Sequence, residues 1–216
     1  GAWLLLIGPA LEASRPLWAS DPTGRDALLV YETQRDPTAG PSRRAVETWM
    51  AAEPDGATPL FLDGLRLLRL GRAEPAEAAF AQAAGTGSLP PAVLESNLGT
   101  ARAARGDLRG AVEHYVRAAA HDPRLFEPQY NLGLVLALQG RYPEADAAMD
   151  RAAAADLDRL RALGRELHRE GPRAPVSAQL SSSDLWSWGL GRASSGSPRS
   201  EEHTSPLQSH DDTSYA

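Results

Sequence analysis

The 216-residue chain contains no cysteine and no lysine, two asparagines (Asn97 and Asn131) and one isoleucine (Ile7). Without cysteine there is no disulfide, no thiolate metal site and no cysteine nucleophile. Arginine supplies all 22 basic side chains. Scarcity of Lys, Asn and Ile beside abundant Ala, Arg, Gly and Pro points to a GC-rich, bacterial coding sequence. The formal charge of −6 lacks the basic excess of a nucleic-acid binder. Long apolar runs are also missing. "AWLLLIGPAL" (2–11) is too short to span a bilayer alone. It reads either as a buried helix or as the exit end of a longer membrane helix, with Trp3 and Trp18 suited to an interfacial belt.

What the chain does have is an internal repeat. "ESNLGTARAARGDLRGAVEHYVRAAAHDP" (95–123) lies over "PQYNLGLVLALQGRYPEADAAMDRAAAADL" (128–157) at an offset of 34, pairing Gly99 with Gly133, Gly106 with Gly140, Ala111 with Ala145 and Ala118 with Ala152. A weaker copy, "LFLDGLRLLRLGRAEPAEAAFAQAA" (60–84), is one residue out of period at Gly64. Each unit reads as two antiparallel helices. Leu132, Val135, Leu136 and Leu138 give the first a broad apolar face. Gly140 suits a left-handed helix end, and Pro143 sits near the restart. Ala145, Met149 and Ala152 form the inner face of the second. Asp122-Pro123 breaks the chain before the next unit.

These residues resemble the tetratricopeptide repeat (TPR), a 34-residue helix–turn–helix with small residues at positions 8, 20 and 27. Gly99, Ala111 and Ala118 match those positions, as do Gly133, Ala145 and Ala152. Glu95 and Gln129 depart from the pattern, standing where an aromatic is usual at position 4. The resemblance implies an all-α fold, a right-handed solenoid of stacked antiparallel helix pairs. Repeats are expected over 57–90, 92–125 and 126–157. An apolar N-terminal segment (1–23) and a degenerate helical pair (24–56) precede them. A capping helix (157–169), with Leu157, Leu160, Leu163 and Leu167 on one stripe, and a linker read from composition (170–198) follow.

The repeat region carries no phosphate loop, nucleophile triad or metal-spaced cluster, so no catalytic residue, metal or cofactor is expected. His114 and His121 are read as polar positions on a solvated face, and Tyr115, Tyr142 and Met149 as packing. What the resemblance implies instead is a protein-interaction scaffold whose concave groove, lined by first helices, binds a peptide or helix of unknown identity. Its positions 2, 5, 9 and 12 fall on Val93, Ser96, Thr100 and Ala103, then on Glu127, Tyr130, Leu134 and Ala137. Position 13 adds Ala104 and Leu138. Tyr130 is expected to be the anchor. Asn97 and Asn131 suit part of the carboxylate clamp found in some relatives, but its basic residues are missing. The alternatives are the repeat region of a larger bacterial enzyme, such as a glycosyltransferase, or of a multi-span membrane protein. The protein is accordingly expected in a bacterial cell, either cytoplasmic or membrane-anchored through 2–18.

"RSEEHTSPLQSHDDTSYA" (199–216) is unlike the rest. His203 and His210 with neighbouring acids have no metal geometry behind them. Apart from Pro206, residues 199–209 resemble the translation of a short-read sequencing adapter, and Ser214, Tyr215 and Ala216 resume it. The stretch is expected to be an artefact that replaces the natural C-terminus.

Overall fold

The computed structural model describes residues 22–170 and 175–180. The apolar segment 2–18 and the adapter-like stretch 199–216 lie outside the described residues. Among the described residues all regular structure is helical: α1 (Pro22–Arg35), α2 (Gly40–Ala52), α3 (Ala57–Arg69), α4 (Ala73–Gly85), α5 (Pro91–Ala104), α6 (Leu108–His121), α7 (Phe126–Leu138), α8 (Tyr142–Ala155) and α9 (Leu157–Glu170). None of these helices is long and apolar enough to cross a membrane. They pack as successive pairs, each leaning on the next, which is the all-α helical-repeat solenoid the resemblance implies.

Turn chemistry sets the period. Gly71, Gly106 and Gly140 lie between the helices of three successive pairs at φ of 72°, 83° and 75°, a region where a Cβ is strained and glycine is not. The second helices of the last two pairs end differently. Asp122 and Asp156 are extended (φ −143° and −156°), so the chain leaves the helix directly into the next pair.

Inside each of these three pairs a glycine on the first helix faces a large side chain on the second. A Cβ on Gly64 would lie 2.5 Å from the Phe80 ring, one on Gly99 2.7 Å from the Tyr115 ring, and one on Gly133 2.8 Å from the Met149 methyl. Ala76, Ala111 and Ala145, with Ala83, Ala118 and Ala152, are buried on the second helices. Small residues there let the backbones close until the one large side chain fills the space.

The missing position-4 aromatics have a polar replacement. Arg117 Nε donates to Glu95 Oε2 at 2.9 Å, and Arg151 Nε donates to Gln129 Oε1 at 2.9 Å. In both pairs the arginine stands at the same place on the second helix. The helix contact that an aromatic face would make is made here by a hydrogen-bonded latch.

His114 joins the first latch, its Nδ1 2.8 Å from Glu95 Oε2. Its side chain is only 15% exposed, which corrects the solvated-face reading. His114→Ala is therefore expected to cost about 1 kcal/mol, the net worth of one such hydrogen bond, with Arg117 still holding Glu95. Urea denaturation measures it, and a loss within error of zero would place His114 outside the latch.

A second polar network joins neighbouring pairs. Glu77 of α4 takes Arg102 at 2.6 Å and Arg105 at 2.5 Å, and Arg102 Nη1 reaches Asp107 at 2.9 Å. Asp107 also caps α6 by accepting from the Gly110 N–H at 2.9 Å. That backbone donor, with Arg102 beside it, holds the Asp107 carboxyl below its ordinary range.

Two expectations on α7 and α9 fail at their ends. Leu138 is 69% exposed, because it falls in the last turn of α7, beyond the neighbouring helices. Leu157 is 45% exposed for the same reason at the start of α9. Leu160 and Leu163 pack on the cluster around Phe126 and Tyr130 as a cap should, and Arg159 of α9 holds Glu127 at 2.6 Å with its guanidinium 4.7 Å over the Phe126 ring.

Candidate functional site: a strap held across the first helices

Residues 175–180 read from composition as linker. In the structure they are an extended strap laid across the first helices of three pairs. Its contacts alternate. Asn131 of α7 takes both main-chain groups of Val176: the Val176 N–H donates to Oδ1 at 2.8 Å, and Nδ2 donates to the Val176 carbonyl at 2.7 Å. One pair earlier in the stack, Asn97 of α5 does the same for Ala178, at 3.1 Å and 2.9 Å. Gln34 of α1 then accepts the Leu180 N–H on Oε1 at 2.6 Å, while its own carbonyl accepts from Gln179 Nε2 at 3.1 Å. The chain's two asparagines thus hold alternate residues of one strand by their backbone.

An extended chain advances about 6.6 Å in two residues, and it presents every second residue to the same side. Asn97 and Asn131 are one repeat apart, so from Val176 to Ala178 two residues of strand span one repeat of the stack, whereas the next two reach Gln34 of α1. Both asparagines have no exposed surface. A buried carboxamide left without partners costs about 1–3 kcal/mol, so the site needs a backbone in it. Asn97 is further fixed by donating to its own helix, at the Val93 carbonyl, 3.0 Å away. That bond sets which way its amide faces.

Side chains follow the same alternation. Ala178 is wholly buried and Leu180 is 8% exposed, both within the core that contains Val30, Trp49, Leu62 and Val93. Val176 is half-buried against the cluster of Phe126, Tyr130 and Ala152. Ser177 is also half-buried, and Gln179 is exposed. Six hydrogen bonds at about 1 kcal/mol each and about 3–4 kcal/mol of apolar burial face about 1–2 kcal/mol per residue of ordering entropy over six residues. The two sides nearly cancel. The strap is seated, but not deeply.

The eight expected groove residues divide. Val93 shares a core with Ala178, Tyr130 belongs to the cluster on which Val176 packs, and Leu134 packs on that same cluster. Tyr130 is only 5% exposed and stacks on Phe126 at 5.5 Å between ring centroids. It is a packed wall of the site, not an open anchor. Thr100 is turned to its partner helix, where Tyr115 Oη donates to its hydroxyl at 3.2 Å. Glu127 is turned to α9 by Arg159. Ala103 and Ala137 are half-buried beside the cluster of Tyr115 and Val135, and Ala104 is exposed. Ser96 is buried with a hydroxyl that meets no partner among the described residues, as is Thr33, the neighbour of Gln34. The residues that grip the strap, Asn97, Asn131 and Gln34, fall outside the eight. The resemblance to the carboxylate clamp of some relatives was the sequence signal that pointed to two of them, Asn97 and Asn131.

Residues 99–145 match the family described as TPR repeat. No curated protein matches the sequence. Among solved structures, a crystal structure of MamA protein is similar at 17% identity, covering 80% of this chain and 92% of that one, with a TM-score of 0.52. A second crystal structure of MamA aligns at 19% identity over 71% of this chain and 88% of that one, with a TM-score of 0.49. At such identities the likeness concerns the fold. The TPR match supports a protein-interaction scaffold in the general sense.

Proposed function

We propose that this protein is a non-catalytic interaction scaffold that binds an extended segment of a partner along its first-helix face, gripping the segment by its main chain. One observation carries the reading. Asn97 and Asn131 each offer a carboxamide that pairs with both the N–H and the C=O of a single residue of an extended chain. This is the logic of strand addition carried out by side chains: backbone pairing gives affinity, and pockets for alternate side chains give selectivity. A helix could not use the site, since its N–H and C=O groups are consumed within the helix.

The test uses the full chain with residues 175–180 replaced by a Gly-Ser sequence, panned against displayed random peptides. Selected peptides should bind, and Asn97→Leu with Asn131→Leu should weaken them by about 30-fold or more, since about 1.4 kcal/mol is tenfold in affinity. Peptides whose affinity ignores both asparagines would remove the reading.

A further inference from the structure

The strap is the chain's own, and it occupies the surface just assigned to a partner. We propose that residues 175–180, Pro-Val-Ser-Ala-Gln-Leu, are an internal pseudo-ligand: they mimic the partner segment, keep the groove closed in cis, and must be displaced by an incoming chain of the same pattern. The inference rests on the reading of the groove as a receptor for extended peptide, and it adds the partner's sequence chemistry and a means of control.

The pattern follows from the seats. The position of Ala178 is wholly enclosed, so it takes a residue no larger than alanine. The positions of Val176 and Leu180 abut apolar clusters and take aliphatic side chains. All three positions donate an N–H to a carboxamide, which excludes proline at each. The residues between them are less constrained: Ser177 is half-buried, and Gln179 is exposed, although its Nε2 donates to the Gln34 carbonyl. The partner is then a segment of the form aliphatic–any–small–any–aliphatic in extended conformation.

Two features mark the strap as replaceable. Its favourable and unfavourable contributions nearly cancel. And among the described residues the hydroxyls of Thr33 and Ser96, each adjacent in sequence to a gripping residue, are buried without a hydrogen-bond partner, so the seated strap leaves that capacity unused. Tethering compensates for the strap's modest seating, because a segment on the same chain acts at a high effective concentration. An incoming segment must beat that concentration or arrive when the strap is pulled away.

The experiment follows a fluorescein-labelled peptide of residues 173–183, acetylated and amidated, by anisotropy against the full chain. Ala178→Arg in the protein cannot fit its enclosed seat and should free the groove. The peptide is expected to bind that variant at least tenfold more tightly than it binds the unaltered chain. Deleting 175–180 should do the same, and it stands in if Ala178→Arg fails to melt cooperatively. A peptide carrying Ala178→Arg, or a methyl on its Ala178 nitrogen, should lose at least tenfold. Equal binding to closed and opened chains would overturn the pseudo-ligand. So would a wild-type dimer in sedimentation that dissolves on Ala178→Arg, because the strap would then belong to a second copy. If the opened groove binds displayed peptides but not the strap peptide, the pseudo-ligand falls while the proposed function stands. If it binds no peptide, both fall.

Discussion

Tyr115→Ala is expected to lower the unfolding free energy by about 3–5 kcal/mol, the range for deleting a large buried aromatic whose site cannot collapse. Tyr115 is wholly buried in the middle pair, between the glycine of its partner helix and the core of the next repeat. Collapse is blocked because Gly99 brings no atoms that could move into the space. Burial also holds the Tyr115 phenol above its ordinary titration range, so the group stays neutral. Its hydroxyl donates to Thr100, and Tyr115→Phe should cost about 1 kcal/mol for that bond. Chemical denaturation gives both values. A loss under about 1.5 kcal/mol for the alanine variant would mean that the middle pair is not held by its aromatic.

Gly64→Val is expected to cost about 3 kcal/mol or more, the upper end for overpacking. A Cβ there already meets three atoms of the Phe80 ring between 2.5 and 2.8 Å. Phe80 itself is wholly buried and leans on Phe61 at 5.9 Å, with no free direction to turn. The contrast is Gly133, whose Cβ would meet the side chain of Met149 instead. Met149 is half-buried and unbranched, and methionine adapts where a ring cannot. Alanine for glycine in a helix is worth about 1 kcal/mol in propensity, so Gly133→Ala should come out near neutral and Gly64→Ala clearly destabilising. Thermal melts of the two alanine variants check the ranking. The opposite order would show that the close approach of helices differs between pairs.

Most of the helical frame could be read from small residues. Gly99, Gly133 and the alanines at fixed offsets announce close helix contact, and Gly106 and Gly140 announce the turns, because each of those needs admits few residue types. The strap could not be read that way. Pro175, Ser177 and Gln179 lend it a linker's composition, and its pattern of Val176, Ala178 and Leu180 is too short to stand out. Its pairing with Gln34 joins residues 146 positions apart, a relation no local signal encodes. The groove positions that the family pattern implies fit this chain only in part. Thr100 and Glu127 answer instead to chemistry particular to this chain, the hydroxyl of Tyr115 and the guanidinium of Arg159. The polar latches at Glu95 and Gln129 were visible as departures from the pattern, but their arginine partners appear only when the helices are stacked.

A stack of helix pairs unfolds from its ends, because each pair holds only its neighbours and the outermost has one neighbour fewer. The strap changes that arithmetic. It spans from α7 to α1, tying the outermost described pair to a repeat three places away. Fraying of α1 must therefore tear the strap, and loss of the strap must loosen α1. Hydrogen exchange should then find the first pair opening together with residues 175–180, not ahead of them. The same long bridge raises the mean sequence separation of contacts in a fold otherwise made of local ones, so the strap should be the last part to form and the slowest. A partner that lifts it would turn a closed loop of contacts back into a row with two free ends.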